Sequence, residues 1–441
     1  MATKSLPSLK SYPKACLKAE ENADLFSELP EEILVSIMSS FTIEDAARFS
    51  LVSRQCERTW RYFPVLIFKD YHSKEKFWDS WEAIVEEKAC FVRSVDRVLE
   101  KHLGTTIDEF RIIFDLELSS QSYVDKWVAV ALDKQVKRLE LDFQSNLRKM
   151  HVRDSRSHRP LPICFDLPPK FTGFKSLLTS LCVRYVNVTN EFVDYLPLSC
   201  PLLEILCIQG SRYLTRITGS LHVKQLEVSY CRNLEKIDVS ARKLLSLTLN
   251  FVYPIELHIV DAPSLFKMSI GEAKILPHAF DNLSDILSQL VYLNLRFCLI
   301  LPLMRGLVNG VPMPKLRHLE LTVTCALIDS SLYQCIFVIQ ACPSLEKLTL
   351  KLERFIVRTV ADRQPRKWIG CGFPLKCLKT LELVGYRGIA MDLELAFFVL
   401  DYASMLEEII VDFVPLNDND KRQRLVMLQM KLPQGVKLTV K

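Results

Sequence analysis

Cysteine and histidine are the side chains best suited to hold a metal or to attack a substrate. This chain of 441 residues has 14 of the first and 8 of the second. Their spacing assembles no chemistry. No CxxC occurs, and Cys371 and Cys377 stand too far apart for an ordinary zinc pair, with no histidine near them at ligand spacing. P-loop, HExxH, GxSxG and dinucleotide-type glycine loops are all absent. Twelve glycines leave little material for a phosphate cradle. The sharpest charged cluster is basic: Arg148, Lys149, His151, Arg153, Arg156, His158 and Arg159 share one polar stretch. A solvated loop is its first reading, a site for an acidic partner or a phosphate the second. Nucleic acid comes third, because no aromatic residues interleave to stack on bases. The expectation is a protein with no catalytic residues, no metal and no cofactor.

Composition narrows the class. Hydrophobic residues make up 49% of the chain, which excludes a mostly disordered protein. A net charge of +5 over this length does not argue for nucleic acid. The densest apolar stretch, residues 297–304, is interrupted by Pro302 and is far too short to span a bilayer. The first 22 residues lack a continuous apolar core and read as a flexible tail rather than a secretory signal. Cys182, Cys207 and Cys231 sit in apolar surroundings, so free thiols in a reducing compartment, cytoplasm or nucleus, are expected. In that setting the sequons at Asn187 and Asn282 carry no meaning.

The elements that would position a surface come from a repeat. The unit L-x-x-L-x-L, with conservative replacements, occurs eleven times. It starts at Val136, Leu178, Leu203, Val223, Leu244, Leu265, Leu290, Leu316, Leu345, Leu378 and Leu406. The last two apolar positions lie two apart, which is strand alternation. From Leu203 onward, starts are separated by 20, 21 and 21 residues and then by 25 to 33. All but the 33 match leucine-rich repeats of roughly 20–29 residues. A second triplet, Leu234/Ile237/Val239, predicts extended backbone on both sides of the short coils. Longer coils have room for a helix, as in residues 331–342.

Residues 24–68 follow a different rule. Pro30 suits a helix start, Glu31 and Glu32 favour its dipole, and Ile33, Leu34, Ile37, Met38 and Phe41 form one stripe. Thr42 with Asp45, and then Ser53, can cap two more helices, the last reaching Trp60. So small a unit buries little core and invites a partner on its apolar face. The phrases Leu29-Pro30-Glu31-Glu32-Ile33-Leu34, Ser50-Leu51-Val52-Ser53-Arg54 and Trp60 before Phe63-Pro64 resemble an F-box. Cys200-Pro201-Leu202-Leu203-Glu204 and Cys342-Pro343-Ser344-Leu345-Glu346 resemble the leucine-rich region of plant F-box proteins. Gly385-Tyr386-Arg387-Gly388 and Met405-Leu406-Glu407 resemble their C-terminal FBD domain.

The resemblance implies an α/β fold: a three-helix F-box, then a curved leucine-rich solenoid with a parallel sheet on its concave face. Expected boundaries are a tail (1–22), F-box (23–70), helical linker and N-terminal cap (71–135), repeats (136–372) and an FBD-like region that caps the solenoid (373–441). It also implies a non-enzymatic substrate receptor of a cullin-RING ubiquitin ligase, joined to cullin by a Skp-type adaptor. Leu29, Pro30, Ile33, Leu34, Ile37, Met38, Val52 and Trp60 are the candidate adaptor contacts, some of which must instead form the F-box core. The alternative is a ligase-independent repeat scaffold or a small-molecule sensor. On the repeats, residues beside the apolar pairs point away from the core. Tyr292, Arg296, His318, Glu320 and Lys347 are the candidate contacts to a target protein, since Tyr and Arg recur at binding hot spots. Neither nucleic acid nor membrane is an expected partner.

Overall fold

The structure, a computed structural model, describes residues 29–39, 41, 43–69, 81–144, 164–167, 177–250, 255–271, 283–298, 311–327, 332, 334–353, 355–356, 365, 373–414 and 418–441. The N-terminal tail, the basic cluster at 148–159, Thr42, Trp78 and Cys371 lie outside these residues.

Three short helices open the chain: α1 (Glu31–Ser39), α2 (Ile43–Phe49) and α3 (Arg54–Trp60). The Pro30 carbonyl accepts from the amides of Ile33 and Leu34 at 3.0 and 3.2 Å, so the proline sits just ahead of α1. Ser53 caps α3 by accepting from the Cys56 amide at 3.0 Å. Helix α3 packs on both α1 and α2. Leu34, Met38, Ile43, Ala46, Cys56, Thr59 and Trp60 are buried.

The next element follows almost at once. Two residues after Phe63 the chain becomes β1 (Val65–Lys69), and β1 pairs in parallel with β2 (Glu109–Ile113). Between and after them run α4 (Trp81–Lys101) and α5 (Gln121–Asp133). The repeat spacing predicts a first strand near Val136 and a helical connection before it. The sheet in fact starts two strands sooner. The apolar pairs of these strands are Leu66/Phe68 and Phe110/Ile112, all buried, and the aromatic replacements hide the leucine pattern. Trp127 is buried, as expected, and its Nε1 donates to Asp96 at 2.7 Å.

A lock ties the helices to this first coil. The His102 ring is buried, and its Nε2 lies 3.0 Å from the Phe63 carbonyl. Leu103 N donates to Arg61 O at 2.7 Å. Lys134 Nζ donates to the Gly104 carbonyl at 2.6 Å and the His102 carbonyl at 3.2 Å.

From there the chain coils. The strands are β3 (Arg138–Asp142), β4 (Phe165–Asp166), β5 (Ser180–Arg184), β6 (Val186–Asn187), β7 (Ile205–Gln209), β8 (Arg216–Ser220), β9 (Gln225–Ser229) and β10 (Lys236–Ser240). They continue as β11 (Ser246–Asn250), β12 (Glu256–Val260), β13 (Lys267–Gly271), β14 (Tyr292–Cys298), β15 (His318–Leu327) and β16 (Lys347–Leu352). The last are β17 (Phe355–Ile356), β18 (Thr380–Tyr386), β19 (Glu408–Phe413) and β20 (Lys437–Val440). One 15-stranded sheet runs β1-β2-β3-β5-β7-β9-β11-β13-β14-β15-β16-β18-β19-β20, with β17 on β15. Every pairing along it is parallel, as a solenoid requires.

Register follows the repeat. Leu139, Leu181, Leu206, Leu226, Leu247, Met268, Leu293, Leu319, Leu348, Leu381 and Ile409 stand opposite one another in turn. All are buried, as are the first residues of all eleven units. The short coils do carry extended backbone on both sides, for β8, β10 and β12 form their own parallel sheet. Longer coils use helices: α6 (Asn190–Ser199), α7 (Ser284–Gln289), α8 (Gln334–Gln340) and α9 (Ala390–Tyr402). A last helix, α10 (Asp418–Met430), packs on α9 with Leu425 and Leu428 buried, and β20 is the closing edge. Lys437 and Lys441 lie on that edge, paired with Glu408 and Glu382, and charged side chains there discourage another chain from adding to it.

Candidate interaction surfaces

The three-helix unit presents an apolar patch. Ile33 is 47% exposed, Val52 51% and Leu51 86%. Pro30 is exposed, and Leu29 and Ile37 are half-buried. Gln55 Nε2 donates to the Leu29 carbonyl at 2.8 Å, which pins the lead into α1 beside the first turn of α3. Leu51 and Val52 come just ahead of that turn. Leu34, Met38 and Trp60, expected from the resemblance as candidate contacts, lie inside the chain at 0%, 0% and 8% exposure. The reason is helical phase. Residues 33 and 37 sit about 100° around the axis from 34 and 38, so one pair faces out while the other faces α3. Trp60 Nε1 is buried without a partner among the described residues. Leu51 is absent from the sequence-derived contacts. Its signal was an apolar pair directly before a capping serine.

A second surface is the polar face of the long sheet. Tyr292, His318 and Lys347 stand in one row across β14, β15 and β16, and Asn294, Glu320, Thr349 and Glu382 in the next. Tyr292 and His318 meet edge-to-face with centroids 4.9 Å apart, and Lys267 Nζ lies 5.0 Å from the Tyr292 ring centre. Glu320 is only 7% exposed and accepts from Tyr292 Oη at 3.0 Å, Asn294 Nδ2 at 3.2 Å and Lys351 Nζ at 2.6 Å. It organises its neighbours on the sheet face. Arg296 is held by Glu353 at 2.6 Å in the third row.

The network continues toward the C-terminus. His318 Nε2 lies 3.0 Å from Thr349 Oγ1, and Thr349 donates onward to Glu382 at 3.4 Å. Burial alone would raise the Glu382 carboxyl. Lys347 and Lys441, each at 2.8 Å, outweigh it and hold it at about 2. Burial, then the neighbouring Lys347 cation, keeps the His318 imidazole below its ordinary value. Burial, reinforced by the Glu320 carboxylate, pushes the Tyr292 phenol up. The row therefore presents a neutral imidazole, a protonated phenol and paired charges near neutral pH. Groups in these states can make hydrogen bonds and ring contacts. Glu382 escaped the sequence reading, although it occupies in its own repeat, between Leu381 and Leu383, the position of Glu320.

Among the described residues no group of three or more His, Cys, Asp or Glu could hold a metal ion. No helix among them is long and apolar enough to cross a membrane.

Comparison with known proteins bears on both surfaces. The family model described as F-box domain matches residues 26–68. The family model described as At1g61320/AtMIF1, LRR domain matches residues 98–432, and so takes in β2 ahead of the first leucine-type unit. The F-box/FBD/LRR-repeat protein At1g13570 of Arabidopsis thaliana is 22% identical, over 94% of this chain and 97% of the relative. The FBD-associated F-box protein At5g56370 of the same plant is 23% identical, over 93% of this chain and 98% of the relative.

Proposed function

Because the chain belongs to the F-box/LRR family of these plant proteins, whose architecture implies a substrate adaptor, we propose that it is the substrate-recognition subunit of a cullin-RING ubiquitin ligase. In this reading a Skp-type adaptor covers the patch of Pro30, Ile33, Leu51 and Val52 and joins the chain to cullin. The leucine-rich sheet holds a target protein through Tyr292, His318, Lys347 and Arg296. No residue of this chain forms or breaks a bond in the target. The contribution to rate is the raised local concentration of target near the ubiquitin-bearing enzyme. Cytoplasm and nucleus are the compartments proposed for it.

The observation that carries the proposal is the division within α1. Leu34 and Met38 close the core while Ile33 and its neighbours stay uncovered, as a surface built for a helical partner requires. The test is capture of a purified Skp-type adaptor by the full chain. Ile33→Asp together with Val52→Asp puts two charges at a desolvating interface without touching the core, and capture should drop at least a hundredfold. Undiminished capture by the folded double variant would overturn the proposal.

A further inference from the structure

Two cysteines meet in the middle row of the sheet face. Cys182 on β5 stands directly opposite Cys207 on β7, with Glu140 on one side and Glu227 on the other. In-register residues on neighbouring strands project from the same face. Strands lie about 4.8 Å apart, inside the Cα range of about 4.4–6.8 Å that a disulfide accepts. The neighbouring Cys182 thiol, and then burial, raises the Cys207 pKa. Cys207 is 3% exposed, whereas Cys182 is reachable from solvent.

Exposure distinguishes the two: a small disulfide can reach the Cys182 sulfur directly, and the buried Cys207 only through it. The other cysteines whose side chains the structure describes offer less. Cys164, Cys231 and Cys342 are buried and directed at backbone carbonyls. Cys90 and Cys377 are exposed on distant elements.

We propose that Cys182 and Cys207 form a reactive dithiol site that a low-molecular-weight disulfide converts reversibly into a strand-bridging disulfide. The Cys182 thiolate attacks one sulfur of the reagent, whose S–S bond breaks and releases one thiolate, protonated by solvent. The Cys207 sulfur then gives up its proton and attacks the Cys182 sulfur, expelling the second thiol. Two protein thiols lose two electrons and two protons in all, and one reagent disulfide becomes two thiols. The bond forms in the plane of the sheet face, so it changes the chemistry of that surface without asking the coils to move apart.

The test uses the folded full chain and oxidised glutathione, followed by acid quench, alkylation, digestion and mass spectrometry. The expected product is a cross-link between the peptides carrying residues 182 and 207, lost on reduction. In Cys207→Ser the reaction should stop one step earlier, leaving glutathione on Cys182. In Cys182→Ser the buried Cys207 should stay unmodified, and circular dichroism checks the fold of both variants. Wild-type protein in which both thiols are alkylated while Cys90 and Cys377 have reacted with glutathione would overturn the proposal. So would Cys207→Ser with no adduct on Cys182.

Discussion

At the scale of single residues, position in the strand decides what a side chain is for. Tyr292, Leu293 and Arg296 lie within five positions of one another, yet Leu293 is buried and the other two hold polar partners on the sheet face. Replacing Leu293 by alanine should cost about 2–5 kcal/mol in chemical denaturation, as large-to-small core changes do. Tyr292→Ala with Arg296→Ala should leave the denaturation midpoint nearly unchanged and the adaptor bound, while weakening target capture. If that variant holds its target as tightly as wild type, recognition lies on another part of the surface. His102 gives a pH-dependent prediction. Burial depresses its pKa below the ordinary 6.5, with the Lys134 cation adding to the effect and the Phe63 carbonyl opposing it. A depressed folded-state pKa means that the stabilisation is present above pH 6.5 and is lost as pH falls through the folded value. Hydrogen-exchange protection factors at residues 61–69 and 102–107 should therefore fall on acidification below pH ~6.5. His102→Gln should flatten that dependence, and an unchanged profile in the variant would assign the effect to another group.

Elements show what a one-dimensional pattern carries and what it hides. The eleven leucine-type units were legible because burial on one face of a short parallel strand demands two apolar residues at spacing two, and each unit became a strand in register. The second sheet of the short coils was legible from Leu234, Ile237 and Val239 alone. β1 and β2 were not, because Phe68, Phe110 and Ile112 meet the same demand with other shapes. The division of the F-box into core and surface was not legible either. Ile33 and Leu34 are equally apolar, and only the direction from which α3 packs separates them. The polar network around Glu320 and Glu382 joins residues 26 to 59 positions apart, a relation that local spacing cannot express. At the end of β18 a single residue sets the element's shape. Gly385 has φ +75° at the irregularity where β18 meets β19, and a Cβ there would stand 2.3 Å from the Leu352 carbonyl oxygen. Buried Asp392 fixes the following turn, accepting from Arg387 N at 2.8 Å. Gly385→Ala should destabilise the C-terminal coils by about 1–3 kcal/mol, read as earlier proteolysis near residue 385. Wild-type resistance would show that the strand can shift to relieve the contact.

Over the whole molecule, a stack of coils behaves as a chain of nearest-neighbour contacts whose ends need cover. Removing residues 418–441 takes away α10 and β20, uncovers the face of α9 on which α10 packs and leaves β19 as an edge. The truncated protein should unfold at lower denaturant and self-associate, as sedimentation would show. A monodisperse truncation of unchanged midpoint would mean that β19 needs no cover. The other end has a different consequence. The F-box exits through Phe63 and Pro64 straight into β1, the first strand of the sheet, and His102 and Lys134 lock that exit. Such a join behaves as a caliper. Whatever rests on the sheet keeps a set distance and heading from whatever grips the helices, with no slack to search through. Under the proposed role, a target's lysines would be sorted by where they fall on that arc rather than by the residues around them. Lengthening the exit by a few glycines after Pro64 should then leave both partners bound and scatter ubiquitin over lysines that the native chain never offers.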